Sequence, residues 1–99
     1  MALSFTHHDG RDAGALTLYA LSTCVWCRKT KALLQQLGVA YDHVDVDLLQ
    51  GDDRNEAMRQ VSRWNPARSF PLLVIGNRSA IVGFDEERIR QELSGGEEK

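Results

Sequence analysis

The order of strand-like and helix-like patterns in residues 15–46 restricts the fold of this chain more than any other feature. Residues 15–21 alternate and are rich in strand formers, which predicts a β-strand. Residues 25–37 place larger apolar side chains at helical spacing, and Gly38 follows where a helix C-terminus favours a left-handed residue. Residues 39–46 again alternate between apolar and polar side chains, which predicts a second strand. This order favours a parallel strand pair joined by a right-handed crossover.

A second helix is predicted after an acidic connection. Residues 47–55 are acidic and contain a glycine, so we expect a loop there. Helical spacing returns with Ala57, Met58 and Val61 and ends where Asn65-Pro66 breaks the pattern.

The last third of the chain predicts a hairpin and a third helix. The apolar runs 71–75 and 79–82 flank a short turn that contains a glycine. The final helix is expected to begin at Asp85, where acidic residues in its first turn suit the helix dipole. The predicted order is therefore βαβαββα, an α/β fold in which helices cover a sheet of four strands.

Length and composition predict one compact domain. The chain has 99 residues, of which 42% are hydrophobic and 26% charged, as is ordinary for a globular protein. Residues 1–14 are polar and without periodicity, so we expect a loose N-terminal arm. Residues 15–95 form the domain, and residues 96–99 are expected to be a mobile tail.

Charge and hydropathy argue against several kinds of partner. The formal net charge is -2, and no long basic run is present, so we expect no nucleic-acid or anionic-membrane surface. Residues 1–5 lack the basic flank and the apolar length of a signal peptide, and no later run has the length of a membrane span. The expected location is the cytoplasm.

The two cysteines form a Cys24-Val25-Trp26-Cys27 motif between the first predicted strand and helix. This spacing is unlike that of a secreted disulfide framework, which joins distant loops. A helix N-terminus favours the thiolate form of a cysteine placed there, so Cys24 is the predicted nucleophile and Cys27 the resolving thiol. Basic residues that follow, Arg28 among them, either support that thiolate or form a solvated basic face. Ser22 and Thr23 are candidate caps of the helix.

The sequence allows two other interpretations of the cysteine pair but favours neither. A structural metal site would need two more ligands, and His43 is the only histidine after the pair, so no metal is expected. The cysteines could also be inert and simply buried, as free cysteines often are. We leave His7 and His8 unassigned as solvated arm residues, and His43 as an outward strand residue.

The chain from about residue 16 to residue 93 resembles the glutaredoxins, small members of the thioredoxin-fold superfamily. The resemblance is carried by Leu18-Tyr19 before Thr23-Cys24-Val25-Trp26-Cys27, by Val44-Asp45-Val46-Asp47, by Arg68-Ser69-Phe70-Pro71 and by Val82-Gly83-Phe84-Asp85. It implies a thioredoxin fold and a cis peptide bond at Phe70-Pro71 facing the active site.

The resemblance also implies roles for several residues. Substrate or glutathione contacts would fall on Arg68, Phe70, Pro71, Gly83 and Asp85. Apart from the resemblance, the basic residue Arg28 next to the dithiol could meet a carboxylate of a glutathionyl group. The family's lysine two residues before Thr23 is replaced by Leu21, and Phe84 replaces the second glycine of the usual Gly-Gly pair.

The sequence therefore predicts a monomeric thiol-disulfide oxidoreductase without a bound cofactor. Its partners would be disulfide-containing proteins, with glutathione or another low-molecular-weight thiol as the reductant. Two alternatives stay open, namely an electron donor of the ribonucleotide reductase type linked to thioredoxin reductase, and an iron-sulfur or metal carrier.

Overall fold

The computed structural model describes residues 3–76 and 78–93, which form one mixed sheet and three helices. The strands are β1 (Thr6–His8), β2 (Leu16–Ala20), β3 (Tyr41–Asp45), β4 (Leu72–Ile75) and β5 (Ser79–Val82). The helices are α1 (Val25–Leu37), α2 (Gly51–Trp64) and α3 (Glu86–Leu93).

The sheet has the strand order β1-β3-β2-β4-β5. Strands β2 and β3 are parallel, as the strand-helix-strand order predicts, and every other neighbouring pair is antiparallel. Gly38 ends α1 with a φ of 70°, also as predicted. The thioredoxin fold is confirmed, whereas the predicted count of four strands is wrong because the described residues form a sheet of five.

The fifth strand lies within the segment predicted to be a loose arm. Strand β1 pairs with β3 and places His8 opposite Tyr41, and Arg11 forms a further bridge with Val39. This polar segment has no apolar alternation that would reveal a strand. Its position at the sheet edge, where one side has no neighbouring strand, tolerates that polarity.

Helix α2 begins earlier than the sequence predicts. Residues 47–55 were expected to be a loop, but a single 3-10 turn (Val46–Leu48) is followed directly by the helix from Gly51. Its first residues are exposed, so no apolar periodicity marks them, although Asp52 and Asp53 in the first turn suit the helix dipole. The predicted helix end at Asn65 is confirmed.

Successive strand residues alternate between two buried clusters on opposite faces of the sheet. Helices α1 and α3 cover the face that buries Leu18, Leu73 and the Cys27 side chain. Helix α2 covers the other face, which buries Tyr19 and Leu72. The two cysteines therefore lie on the side of the sheet that α1 and α3 cover.

The predicted mobile tail at residues 96–99 lies outside the described residues. No helix in the described part of the chain has the length and apolar character needed to cross a membrane.

Candidate dithiol site

The turn between β2 and α1 places Cys24 at the helix N-terminus. Cys24 is itself the N-cap, and its Sγ accepts a hydrogen bond from the Cys27 backbone N–H at 3.2 Å. The prediction that Ser22 or Thr23 caps the helix is wrong. Ser22 instead donates its backbone N–H and its hydroxyl to the two oxygens of Asp47, at 2.8 and 2.6 Å. These bonds join the turn to the 3-10 turn that follows β3, and they hold the pKa of the Asp47 carboxyl below its ordinary value.

The two thiols have different surroundings although they lie within one helical turn. Cys24 is partly exposed, whereas Cys27 is 0% exposed and belongs to the buried cluster. The Leu21 backbone N–H points to Cys27 Sγ at 3.5 Å. Burial, and secondarily the contact with Cys24, raise the pKa of the Cys27 thiol to about 12. Cys27 is therefore a neutral thiol at physiological pH, while Cys24 has a hydrogen-bond donor and the positive end of the helix dipole beside its sulfur.

An aromatic pair lies next to the dithiol. Trp26 is 55% exposed, and its ring stacks on Phe84 with centroids 5.9 Å apart. The Lys29 ammonium lies 5.5 Å from the centroid of the Trp26 ring, within the range of a cation–π interaction. This stack links the first turn of α1 to the loop before α3.

The segment before β4 has the peptide geometry implied by the resemblance. The Phe70-Pro71 bond is cis, as predicted, and Pro71 is buried. The Pro71 carbonyl accepts a hydrogen bond from the Gly83 N–H at 2.8 Å. Phe70 packs against both buried clusters, and it shares the α1-side cluster with Cys24. That this bond lies against Cys24 stays a prediction.

The remaining predicted contacts are distributed around this end of the fold. Asp85 caps α3, accepting the Arg88 backbone N–H at 3.2 Å. Arg28 is exposed in the first turn of α1. Arg68 has a φ of 57° and donates its Nε to the Ser62 hydroxyl at 3.0 Å, so its side chain is bound to α2.

A row of polar side chains beside α1 was missed by the sequence analysis. Lys31 Nζ lies 3.1 Å from Asp45 Oδ1, and Asp45 Oδ2 lies 3.3 Å from His43 Nε2. His43 Nδ1 in turn lies 2.7 Å from His8 Nε2. The assignment of His8 to a solvated arm and of His43 to an outward position is therefore wrong, because both are part-buried partners across β1 and β3. The alternation of Tyr41, His43 and Asp45 along β3 was the available signal.

The described residues contain no group of three or more His, Cys, Asp or Glu side chains arranged to hold a metal ion. The chemistry that the arrangement supports is that of an accessible sulfur at a helix N-terminus beside a buried one.

Comparisons with known proteins agree on one family. The sequence model of the glutaredoxin family matches residues 16–80. Glutaredoxin 1 of Rickettsia bellii is 39% identical over 73 residues, which cover 73% of this chain and 71% of the relative.

Two solved structures from archaea are also similar. The methanoredoxin of Methanosarcina acetivorans has a TM-score of 0.83 and 51% identity, covering 85% of this chain and 88% of the other. A glutaredoxin of Methanosarcina mazei has a TM-score of 0.85 and 46% identity, covering 93% of this chain and 96% of the other.

Proposed function

This chain belongs to the glutaredoxin family, and we propose that it is a thiol-disulfide oxidoreductase that reduces protein disulfides or glutathione mixed disulfides, with Cys24 as the nucleophile and Cys27 as the resolving thiol. The observation that carries the proposal is the unequal environment of the two sulfurs, one accessible at a helix N-terminus and the other fully buried. A cytoplasmic location and a monomeric state complete the proposal.

The first step is attack by the Cys24 thiolate on one sulfur of the substrate disulfide. A bond forms between Cys24 Sγ and that sulfur, the substrate S–S bond breaks, and the other substrate sulfur leaves as a thiolate that takes a proton from solvent. The Cys27 N–H and the helix dipole favour negative charge on Cys24 Sγ, and the partial exposure of Cys24 gives the substrate access.

The second step uses Cys27. Its sulfur loses a proton and attacks Cys24 Sγ, which breaks the mixed disulfide, releases the second substrate sulfur and leaves a Cys24–Cys27 disulfide. The substrate has then gained two electrons. Because Cys27 is buried, it is protected from external disulfides and reacts only with the sulfur beside it.

We further propose that glutathione or another low-molecular-weight thiol returns the two electrons. Support comes from Arg28, which is exposed in the first turn of α1, and from Asp85 at the start of α3, which offer charges of both signs for a glutathionyl group. The cis Phe70-Pro71 segment adds the backbone geometry that the family resemblance implies. Arg68, whose side chain is bound to Ser62, would have to reach the donor from the side of α2.

Single-cysteine variants test the proposed roles. Cys24→Ser should abolish disulfide reduction, whereas Cys27→Ser should keep a nucleophile that accumulates as a mixed disulfide with its substrate. Mass spectrometry of each variant after exposure to a disulfide peptide detects the adduct by its added mass. Equal loss of activity without a trapped adduct in Cys27→Ser would show that the roles are misassigned.

A further inference from the structure

The resolving step requires the proton to leave a fully buried thiol. Cys27 is 0% exposed, and the pKa of its thiol is raised to about 12, mainly by burial. A thiolate that forms in such a place needs a nearby positive charge or donor to be stabilised. The Leu21 N–H supplies one long contact at 3.5 Å.

Lys31 is placed to supply that positive charge. It lies four residues after Cys27 on α1, and residues at this spacing share one face of a helix. Its side chain is only 23% exposed, and its ammonium lowers the pKa of the Cys27 thiol against the larger effect of burial.

Asp45 fixes the position of the Lys31 ammonium. Asp45 pairs in parallel register with Ala20, the residue before Leu21, so the Asp45 backbone is next to the end of the strand that leads to the Leu21 N–H. Asp45 Oδ1 binds Lys31 Nζ at 3.1 Å, and the Asp45 side chain is 18% exposed. Its second oxygen contacts His43, and His8 contacts the other ring nitrogen of His43.

We propose that Lys31, held by Asp45, is a positioning residue for the resolving step, and that its ammonium stabilises the negative charge that develops on Cys27 Sγ. This inference rests on the proposed oxidoreductase function. In the step itself, the Cys24–Cys27 bond forms, the bond between Cys24 Sγ and the substrate sulfur breaks, and the Cys27 proton passes to the departing sulfur or to solvent. Lys31 contributes charge and keeps its own protons.

Other ionisable groups also lie near this helix. Tyr41 is buried in the same cluster as Cys27, and burial raises the pKa of its hydroxyl, so it carries no charge at neutral pH. Cys24 is the second thiol of the site, and the first turn of α3 has partners of its own, because Asp85 accepts the Arg88 N–H and Glu86 pairs with Arg90. The exposed Lys29 lies over the Trp26 ring.

A reporter disulfide separates the two steps in one experiment. Reduced protein is mixed with one equivalent of dithiobis(nitrobenzoate), which releases a yellow thiolate when Cys24 attacks and a second one when Cys27 resolves the adduct. The chain has only two cysteines, so both phases are assigned. Lys31→Met should slow the second phase about two- to fourfold at neutral pH, because loss of the nearby charge raises the pKa of the Cys27 thiol and the lower thiolate fraction outweighs the higher nucleophilicity of a more basic thiolate.

The pH profile and matched variants distinguish positioning from a general structural effect. In Lys31→Met the rise of the second-phase rate with pH should move to higher pH, and the first phase should keep its wild-type rate. Lys31→Arg should restore the second phase. Arg59→Met, which removes an exposed positive charge on α2, is the control for net charge.

Lys31→Met leaves the Asp45 carboxylate without its partner and could prevent folding. In that case the double variant Lys31→Met/Asp45→Asn, which removes both charges, should show the same slowing of the second phase without slowing of the first. A second phase that is unchanged in the folded variants, or slowed equally with the first, overturns the inference while leaving the proposed function intact. Absence of the first phase in the wild-type protein overturns the proposed function itself.

Discussion

The face of the sheet beneath α1 and α3 buries Leu34, Ile89 and the Cys27 sulfur together, whereas the face beneath α2 buries Ala57 and Val61 and neither cysteine. On the α2 face, burial stabilises the fold and involves neither of the two thiols. On the α1 face, the same burial also raises the pKa of a thiol that takes part in the proposed chemistry. Packing and reactivity are therefore linked on one face and separable on the other.

The largest expected effect compares core truncations on the two faces. Leu34 is 0% exposed on α1, and Leu34→Ala should lower the free energy of unfolding by about 2–5 kcal/mol through lost burial and a residual cavity. Val61 is 0% exposed on α2, and Val61→Ala removes less side chain and should cost about 1–3 kcal/mol. Urea unfolding of the reduced variants, followed by circular dichroism, measures both.

A Val61→Ala variant as destabilised as Leu34→Ala would contradict this expectation, because the smaller truncation would then cost as much on the α2 face as the larger one costs on the α1 face. A Leu34→Ala cost below about 1 kcal/mol would show that the α1 face relaxes around the lost side chain.

Periodicity in the sequence predicted the parts of the fold with a buried face. The bounds of α1, residues 25–37, were predicted correctly because its apolar side chains recur at helical spacing. Strand β1 and the first turn of α2 were missed because their residues are polar and mostly exposed, so the pattern contains no signal of burial.

The site was predictable only where its residues are neighbours in the chain. The spacing of Cys24 and Cys27 identified the dithiol, and the family resemblance supplied the cis bond before Pro71. The contact of Lys31 with Asp45 depends on how α1 packs on β3, and that contact is non-local. No local propensity encodes it.

At alkaline pH, the stability of the fold should depend on the ionisation of Cys27, the buried thiol of the α1 face. Because folding raises the pKa of the Cys27 thiol from 9.0 to about 12, the folded state keeps a proton that the unfolded state loses above pH 9.0. Stability is therefore fully present below that pH and falls as pH rises toward 12. The expected loss is on the order of 2–3 kcal/mol by about pH 11, measured by denaturant unfolding of the reduced protein.

Two variants assign this loss to a face of the sheet. Cys27→Ala should flatten the decline between about pH 9 and 11, although its stability at neutral pH will differ from that of wild type. Tyr19 on the α2 face also has a pKa raised by burial, from 10.0, so Tyr19→Phe should change only the upper end of the profile. An unchanged decline in Cys27→Ala would place its origin outside the α1-face thiol.

The smallest expected effect concerns Asp85, where α3 joins the α1 face. Asp85→Ala removes the acceptor of the Arg88 N–H and should lower the free energy of unfolding by about 1 kcal/mol, whereas Asp85→Asn keeps an acceptor oxygen and should stay within about 0.5 kcal/mol of wild type.

If Asp85 also contacts glutathione, Asp85→Asn should lower kcat/KM in a glutathione and glutathione reductase assay about two- to fivefold, since an exposed ion pair is worth about 0.2–1 kcal/mol. The reaction with dithiothreitol, which has no charged groups to recognise, should keep its wild-type rate. An equal fall with both reductants would mean that Asp85 acts only as the helix cap. If thioredoxin reductase alone supported turnover, it would replace glutathione as the proposed electron donor.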